Sequence, residues 1–451
     1  MTTPKLLLII SSVLVCVQTS EVTFKNVSVW TAPNKQYAVI SSSDSLKEFL
    51  PHVPVNIVAI KGKIPVLYED SVSDVDNVEQ LYFLKNEIEE IRPKAFKNLT
   101  VKSLEIVYSN VTTLEEGVFD NLTLEDLGIT HNLIGQIKSG AFGDLPKLHS
   151  LSLANNKLET LGSDVFDNLA NLQNLDLSSN LISTLPDGVF KKLPNLRVLL
   201  LRRNRLGQIR GDMFVNVGIH HLDLSSNSIS SIGQDTWNGL PQLTRLILSR
   251  NQLTEVSKGD FHVLNLKQLE LDNNQISFVA ADAFDDFSNL INIMLMGNKL
   301  TRYDPRWFRN TTNIYRLYLA NNLIEEIPNE AFKNIYNEKA QWITLNNNRI
   351  KNISRNAFKG FKKFDVLNLS HNQIEYWIGD FLRDTELIHY LNLVGNKIQC
   401  PLGDFEQVFK ANFTYLDSNP LTPHCLQKIV DWKKTTSSQG HVVCTAPCFL
   451  Y

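Results

Sequence analysis

The residues best placed to do chemistry in this 451-residue chain are four cysteines near its end, Cys400, Cys425, Cys444 and Cys448. Thiols grouped in this way hold either zinc or one another. Zinc ribbons use paired Cys-x-x-Cys spacings, which are missing here, so an oxidised cap is expected, with three possible pairings. His220 and His221 are adjacent, but a tetrahedral metal site asks for more ligands than the pair supplies. One ring is expected to pack and the other to face solvent. Ser178-Ser179 and Ser225-Ser226 have no base that the sequence brings to them, and Asp and Glu are scattered. We expect no catalytic set, no metal and no cofactor; the chain reads as a non-enzyme.

These residues are embedded in a repeat. The pattern L-x-L-x-x-N begins at Leu81 and recurs as Leu151-x-Leu153-x-x-Asn156, Leu175-x-Leu177-x-x-Asn180, Leu222-x-Leu224-x-x-Asn227 and Leu246-x-Leu248-x-x-Asn251, continuing to Asn396. Successive asparagines are mostly 23 or 24 residues apart, which predicts about fifteen coils and a degenerate one at Val58-x-Ile60-x-x-Lys63. Alternating leucines have the period of a short strand, with leucines inward and the x residues outward. The asparagine is suited to pairing backbone groups left over at the turn. Downstream residues such as Leu158, Leu161 and Phe166, or Ile324, Ile327 and Phe332, are expected to fill the other half of the core. No coil buries its apolar residues alone, so stability requires stacked neighbours and capped ends.

On those residues the chain resembles the extracellular leucine-rich-repeat superfamily, in its phenylalanine-containing form. The resemblance implies an α/β fold: a curved solenoid, or horseshoe, with a concave parallel β-sheet and a disulfide-stabilised C-terminal cap. The expected divisions are a signal peptide at 1–20, a cysteine-free N-terminal cap with the degenerate coil at 21–80, the repeat array at 81–399 and the cap at 400–451. Val22-x-Phe24, Val27-x-Val29 and Val55-x-Ile57 read as short strands covering the first coil, and Leu426 to Trp432 as a helix. Resemblance to such C-terminal caps implies Cys400 paired with Cys444 and Cys425 with Cys448. Four departures stand out: Ser109 replaces the asparagine, Trp237 the phenylalanine and Thr311 a core leucine, and two extra residues lie around Asn337-Ala340. The insertion reads as a bulged convex loop.

Lys5, the apolar run from Leu6 to Val17 and the small residues Thr19 and Ser20 have the parts of a secretory signal, too short to span a bilayer comfortably. Asn-x-Ser/Thr sequons at Asn26, Asn98, Asn110, Asn121, Asn310, Asn352, Asn368 and Asn412 agree with that route and are candidate glycosylation sites. A formal net charge of −3 makes nucleic acid an unexpected partner, and no membrane insertion is expected.

With no catalytic set, the concave x positions are the place to look for function. A central column is expected through Tyr82, Glu105, Gly128, Ser152, Asp176, Leu200, Asp223, Ile247, Glu270, Met294, Tyr318, Thr344, Asn368 and Asn392. Arg202, Arg203, Arg245 and Arg250 are expected beside it in one region, then Met296, Arg316 and Trp342 in another. Methionine, aromatic and arginine side chains gathered this way characterise protein-binding cores. The candidate ligand-binding residues are Leu200, Arg202, Arg245, Ile247, Met294, Met296, Arg316, Tyr318 and Trp342. A glycan on Asn368 would exclude large ligands from the coils that follow. The chain further resembles the secreted leucine-rich immune proteins of mosquitoes, in the branch lacking a coiled coil. That implies innate immunity, through a complement-like thioester protein or a microbial surface as partner, in a secreted, extracellular protein. The alternatives are a cell-adhesion or matrix interaction protein and a soluble Toll-like co-receptor; oligomeric state is left open.

Overall fold

The computed structural model describes residues 7–10, 13–16, 23–32, 37–50, 54–76, 78–215, 217–233, 235–262, 265–285, 287–335, 341–435 and 441–443. They divide into two compact units, Met1–Leu199 and Leu200–Tyr451. Both are parallel β-solenoids of stacked coils.

In the first unit the inward leucines align coil by coil. Val58 lies opposite Leu81, which continues through Leu104, Leu127 and Leu151 to Leu175. Val55–Lys61 is therefore a true coil strand, as the Val58-x-Ile60 spacing predicts, and Val55-x-Ile57 belongs to it rather than to a covering cap strand, because it pairs in parallel with Val78–Leu84. Its other edge is closed by antiparallel strands, Phe24–Ala32 and then Tyr37–Ser43, so the cap needs no cysteine. Leu7–Ile10 and Val13–Cys16, within the expected signal peptide, form a separate antiparallel pair. On the far side of the coils Phe96, Phe119, Phe142, Phe166 and Phe190 stack in sequence, with centroids 5.4 to 6.5 Å apart.

The second unit repeats this plan from His221–Asp223 to His441–Val443, with Leu222, Leu246, Leu269, Ile293, Leu317, Ile343, Leu367 and Leu391 in register. The departures from the repeat are accommodated individually. Trp237 is buried in the phenylalanine position, stacks on Phe261 and donates its indole N–H to the carbonyl of Asp260. Thr311 is fully buried and keeps its hydroxyl bonded to the carbonyl of Phe284. Ser109 is too short for the asparagine's task, and its buried hydroxyl has no partner.

The asparagines join the coils as expected. Asn322 donates through Nδ2 to the carbonyls of Leu295 (2.9 Å), Leu319 (3.1 Å) and Ala320 (3.3 Å), while Oδ1 accepts from the N–H of Leu300 (3.1 Å). The residue before each such asparagine turns left-handed: Asn155, Ser226, Arg250, Asn273 and Asn347 have φ between 55° and 59°. At Gly297 φ is +66°, which other residues also adopt at this turn, but a Cβ there would meet Asn273 Oδ1 at 2.7 Å, so a larger residue requires the Asn273 side chain to move.

The C-terminal cap corrects the expected disulfides. Cys400 is bonded to Cys425, with Cα atoms 5.4 Å apart, and not to Cys444; Cys444 and Cys448 lie outside the described residues. The physical reason is stacking. Cys425 opens the helix Pro423–Thr435, which lies one coil beyond Cys400, so residues 25 apart in sequence meet in space. The helix exceeds the expected span at both ends and packs Trp432 against Phe409 at 5.1 Å. Among the described residues α-helix occurs only here and at Phe405–Val408.

Replacing Asn322 by Ala leaves the Leu300 N–H without its partner and takes one donor from each of the carbonyls of Leu295, Leu319 and Ala320, which keep Asn298, Asn348 and the Gly297 N–H respectively. It is expected to cost about 1–3 kcal/mol and to lower the urea unfolding midpoint. An unchanged midpoint would remove the ladder from the account of stability.

Candidate functional site

Strand register decides which x residues are neighbours. The central column of the second unit is Asp223, Ile247, Glu270, Met294, Tyr318, Thr344, Asn368 and Asn392, as expected, extended by Tyr415. Beside it runs a column that the sequence reading had only in part: His221, Arg245, Gln268, Asn292, Arg316, Trp342, Val366, Tyr390 and Phe413. Arg202 and Met296 lie beyond the second leucine, on the opposite side of the central column.

The four arginines therefore do not form one group. Arg203 and Arg250 occupy the left-handed turn position, with φ of 55° and 58°, and stand exposed at the rim. Arg245 stays on the strand face, its guanidinium 3.0 Å from Glu270 Oε1, which also accepts from Gln268 Nε2 at 2.7 Å. Such a partly exposed pair contributes at most about 1 kcal/mol; its main effect is to fix where the charges sit. Leu200, Met294, Met296, Arg316, Tyr318 and Trp342 are half-buried on the face, whereas Ile247 is buried and offers little surface.

The two histidines differ from expectation: both are half-buried. His220 Nδ1 lies 2.8 Å from the carbonyl of Gly218. His221 points onto the strand face opposite Arg245, and its buried Nε2 has no partner. Burial, and then the Arg245 charge, hold its pKa below the ordinary 6.5. Among the described residues no cluster of three or more His, Cys, Asp or Glu is arranged to hold a metal, and no helix is long and apolar enough to cross a membrane.

Sequence reasoning missed a depression of about 410 Å³ on this face, which lies beside a register shift. Gln341 lies opposite Phe364 and Trp342 opposite Val366, so Asp365 is left over. Gln341 turns inward, fully buried, and donates to the carbonyl of Ile335 at 2.9 Å. The gap it leaves in the outermost column lets the Tyr315 hydroxyl reach across two coils to Asp365 Oδ2 at 2.7 Å, which raises the tyrosine's pKa. Asp365 Oδ1 is 3.8 Å from His389 Nε2, and His389 Nδ1 is 3.2 Å from Asn412 Nδ2. This polar row borders a hollow floored by the small Val366 between Trp342 and Tyr390. The two-residue insertion preceding Gln341 lies outside the described residues. The same position is polar in other coils, as Thr244, Lys267 and Tyr315 show, so Gln341 does not announce the shift in the sequence.

The chain belongs to the leucine-rich-repeat family, whose model matches residues 122–182, 170–218, 217–276, 264–324 and 338–398. Keratocan of Homo sapiens is 34% identical over 120 residues, which cover 26% of this chain and 33% of keratocan; the match thus spans a third of that relative. Among solved structures, the complex of TLR13 with ssRNA13 has a TM-score of 0.67 at 21% identity, covering 82% of this chain and 57% of that one. The APL1 leucine-rich repeat domain has 0.62 at 21%, covering 78% and 93%. The LRIM1/APL1C complex has 0.61 at 20%, covering 87% and 70%. At these identities the structures establish the fold.

Because the folded state holds His221 neutral, it binds fewer protons than the unfolded chain just below pH 6.5. Stability present above that pH is lost as pH falls through it. Substituting His221→Gln is expected to flatten the decline in thermal midpoint between about pH 7 and about pH 5. An equal slope in both proteins would show that His221 contributes none of it.

Proposed function

We propose that this protein is a secreted glycoprotein that binds another macromolecule across the strand face between Leu200 and Trp342, without catalysis, and that it serves innate immunity. One observation carries the reading. Asn292, Arg316 and Trp342 are in register in one column while Met294 and Tyr318 are in register in the next, so an arginine, a methionine and two aromatic rings form a single half-exposed patch. Aromatic, methionine and arginine side chains are enriched where protein surfaces meet. The oxidised C-terminal cap and the eight sequons support the secretory route. The partner we favour is a complement-like thioester protein, with a microbial surface as the other target, as the resemblance to mosquito leucine-rich immune proteins implies; the LRIM1/APL1C complex, a similar fold bound to a protein, supports a protein partner. A second reading, adhesion or matrix interaction, is favoured by the segment shared with keratocan.

The test is affinity capture of the tagged protein from its native body fluid beside a Met294→Ala/Arg316→Ala/Tyr318→Ala variant. Recovery of a thioester protein by the wild type, reduced at least about tenfold in the variant, is expected. Recovery of matrix proteins instead would replace the immune reading, and equal capture by both versions would move the contact off this patch.

A further inference from the structure

The hollow beyond Trp342 is built differently from the patch before it. Its walls are aromatic: Trp342 on one side, Tyr390 on the other, and Tyr415 in the neighbouring column. Tyr390 is 45% exposed yet held in place, because its ring stacks on Phe413 at 5.4 Å, which stacks on His441 at 5.2 Å. One border carries the Asp365 carboxylate and the His389 imidazole, fixed by Tyr315 and Asn412. Flat apolar faces beside anchored hydrogen-bonding groups suit a pyranose, which presents C–H groups on its faces and hydroxyls around its edge. A volume of about 410 Å³ is within the range of small-ligand pockets.

Asn368 also lines the hollow, and it is the first residue of the sequon Asn368-Leu369-Ser370. Its Oδ1 accepts from the Ser370 N–H at 3.1 Å and from the Ser370 hydroxyl at 2.8 Å. These two bonds orient the amide, and Nδ2, the atom that takes a glycan, is left without a hydrogen-bond partner among the described residues. Nearby Asn412, also a sequon, differs: it is exposed, and its Nδ2 is engaged by His389.

We propose that this hollow is a saccharide seat, and that its occupant is the first N-acetylglucosamine pair of a glycan carried on the chain's own Asn368. The sugar faces pack between Trp342 and Tyr390, and Asp365 and His389 bind hydroxyls at the rim. The seated glycan covers the end of the strand face, which confines a large partner to the coils before it. The inference rests on the secretory route of the proposed function but not on the identity of any partner.

The experiment uses full-length protein secreted from eukaryotic cells, with glycopeptides read by mass spectrometry during peptide-N-glycosidase digestion of the native fold. The Asn368 glycan is expected to be present and to resist release, while glycans at exposed Asn98 and Asn310 are removed. Tyr390→Ala, at an exposed side chain that leaves the core intact, is expected to speed release at Asn368 by about tenfold, and Tyr390→Phe to restore resistance. A Ser370→Ala protein, unable to carry this glycan, is expected to bind added chitobiose with a Kd on the order of a millimolar, weakened by Asp365→Asn. An unoccupied Asn368 beside other occupied sequons, or release at the same rate as Asn98 in wild type and Tyr390→Ala alike, would overturn the seat and leave the secretory route standing. Absence of glycan at every sequon would remove that route, and this inference with it.

Discussion

A coil of this protein has nowhere of its own to satisfy the backbone groups released when a three-residue strand ends in a sharp turn. The ladder asparagine solves this by reaching out of its coil: Asn322 binds carbonyls at Leu319 and Ala320 beside it and at Leu295 in the coil before, and takes the N–H of Leu300. Each side chain is at once a turn closure and a rivet between coils. Once coils are riveted at this pitch, the inward leucines must lie over one another, the phenylalanines must stack, and x residues about 24 positions apart become neighbours. The columns on the strand face follow from that constraint.

The same constraint explains why local departures have effects elsewhere. Gln341 takes an inward place opposite Phe364, and the face loses one residue from its outermost column. Asp365, left unmatched, is re-aimed toward Tyr315 and His389, as bulged residues commonly are beside sites. A hollow two coils wide lies beside this shift. Trp237 and Thr311 leave the stack undisturbed because each finds a partner for its polar atom without shifting register.

The strand face of the second unit thus has two chemistries in succession. From Arg245 to Tyr318 it mixes one fixed ion pair with methionine, arginine and tyrosine, a texture suited to a protein surface. From Trp342 onward, anchored aromatic rings alternate with amides and a carboxylate, a texture suited to a sugar. The sequon at Asn368 falls at the boundary between them.

The repeat, its strand positions, the inward leucines, the asparagine ladder and the central column were legible in the sequence because each depends on residues two or three apart, repeated at a nearly constant interval. Local spacing determines them whatever the rest of the chain does. The grouping of Arg202 with Arg245, the two histidines, the pairing of the disulfide and the hollow were not legible, because each depends on which coil lies against which and in what register. Arg203 and Arg250 left the face through a backbone dihedral, Cys400 found Cys425 through one coil's stacking, and Asp365 was exposed by a buried glutamine one coil away. Sequence periodicity specifies a coil; only the stacking of coils, in which a single-residue shift changes every neighbour across the sheet, decides the surface they present.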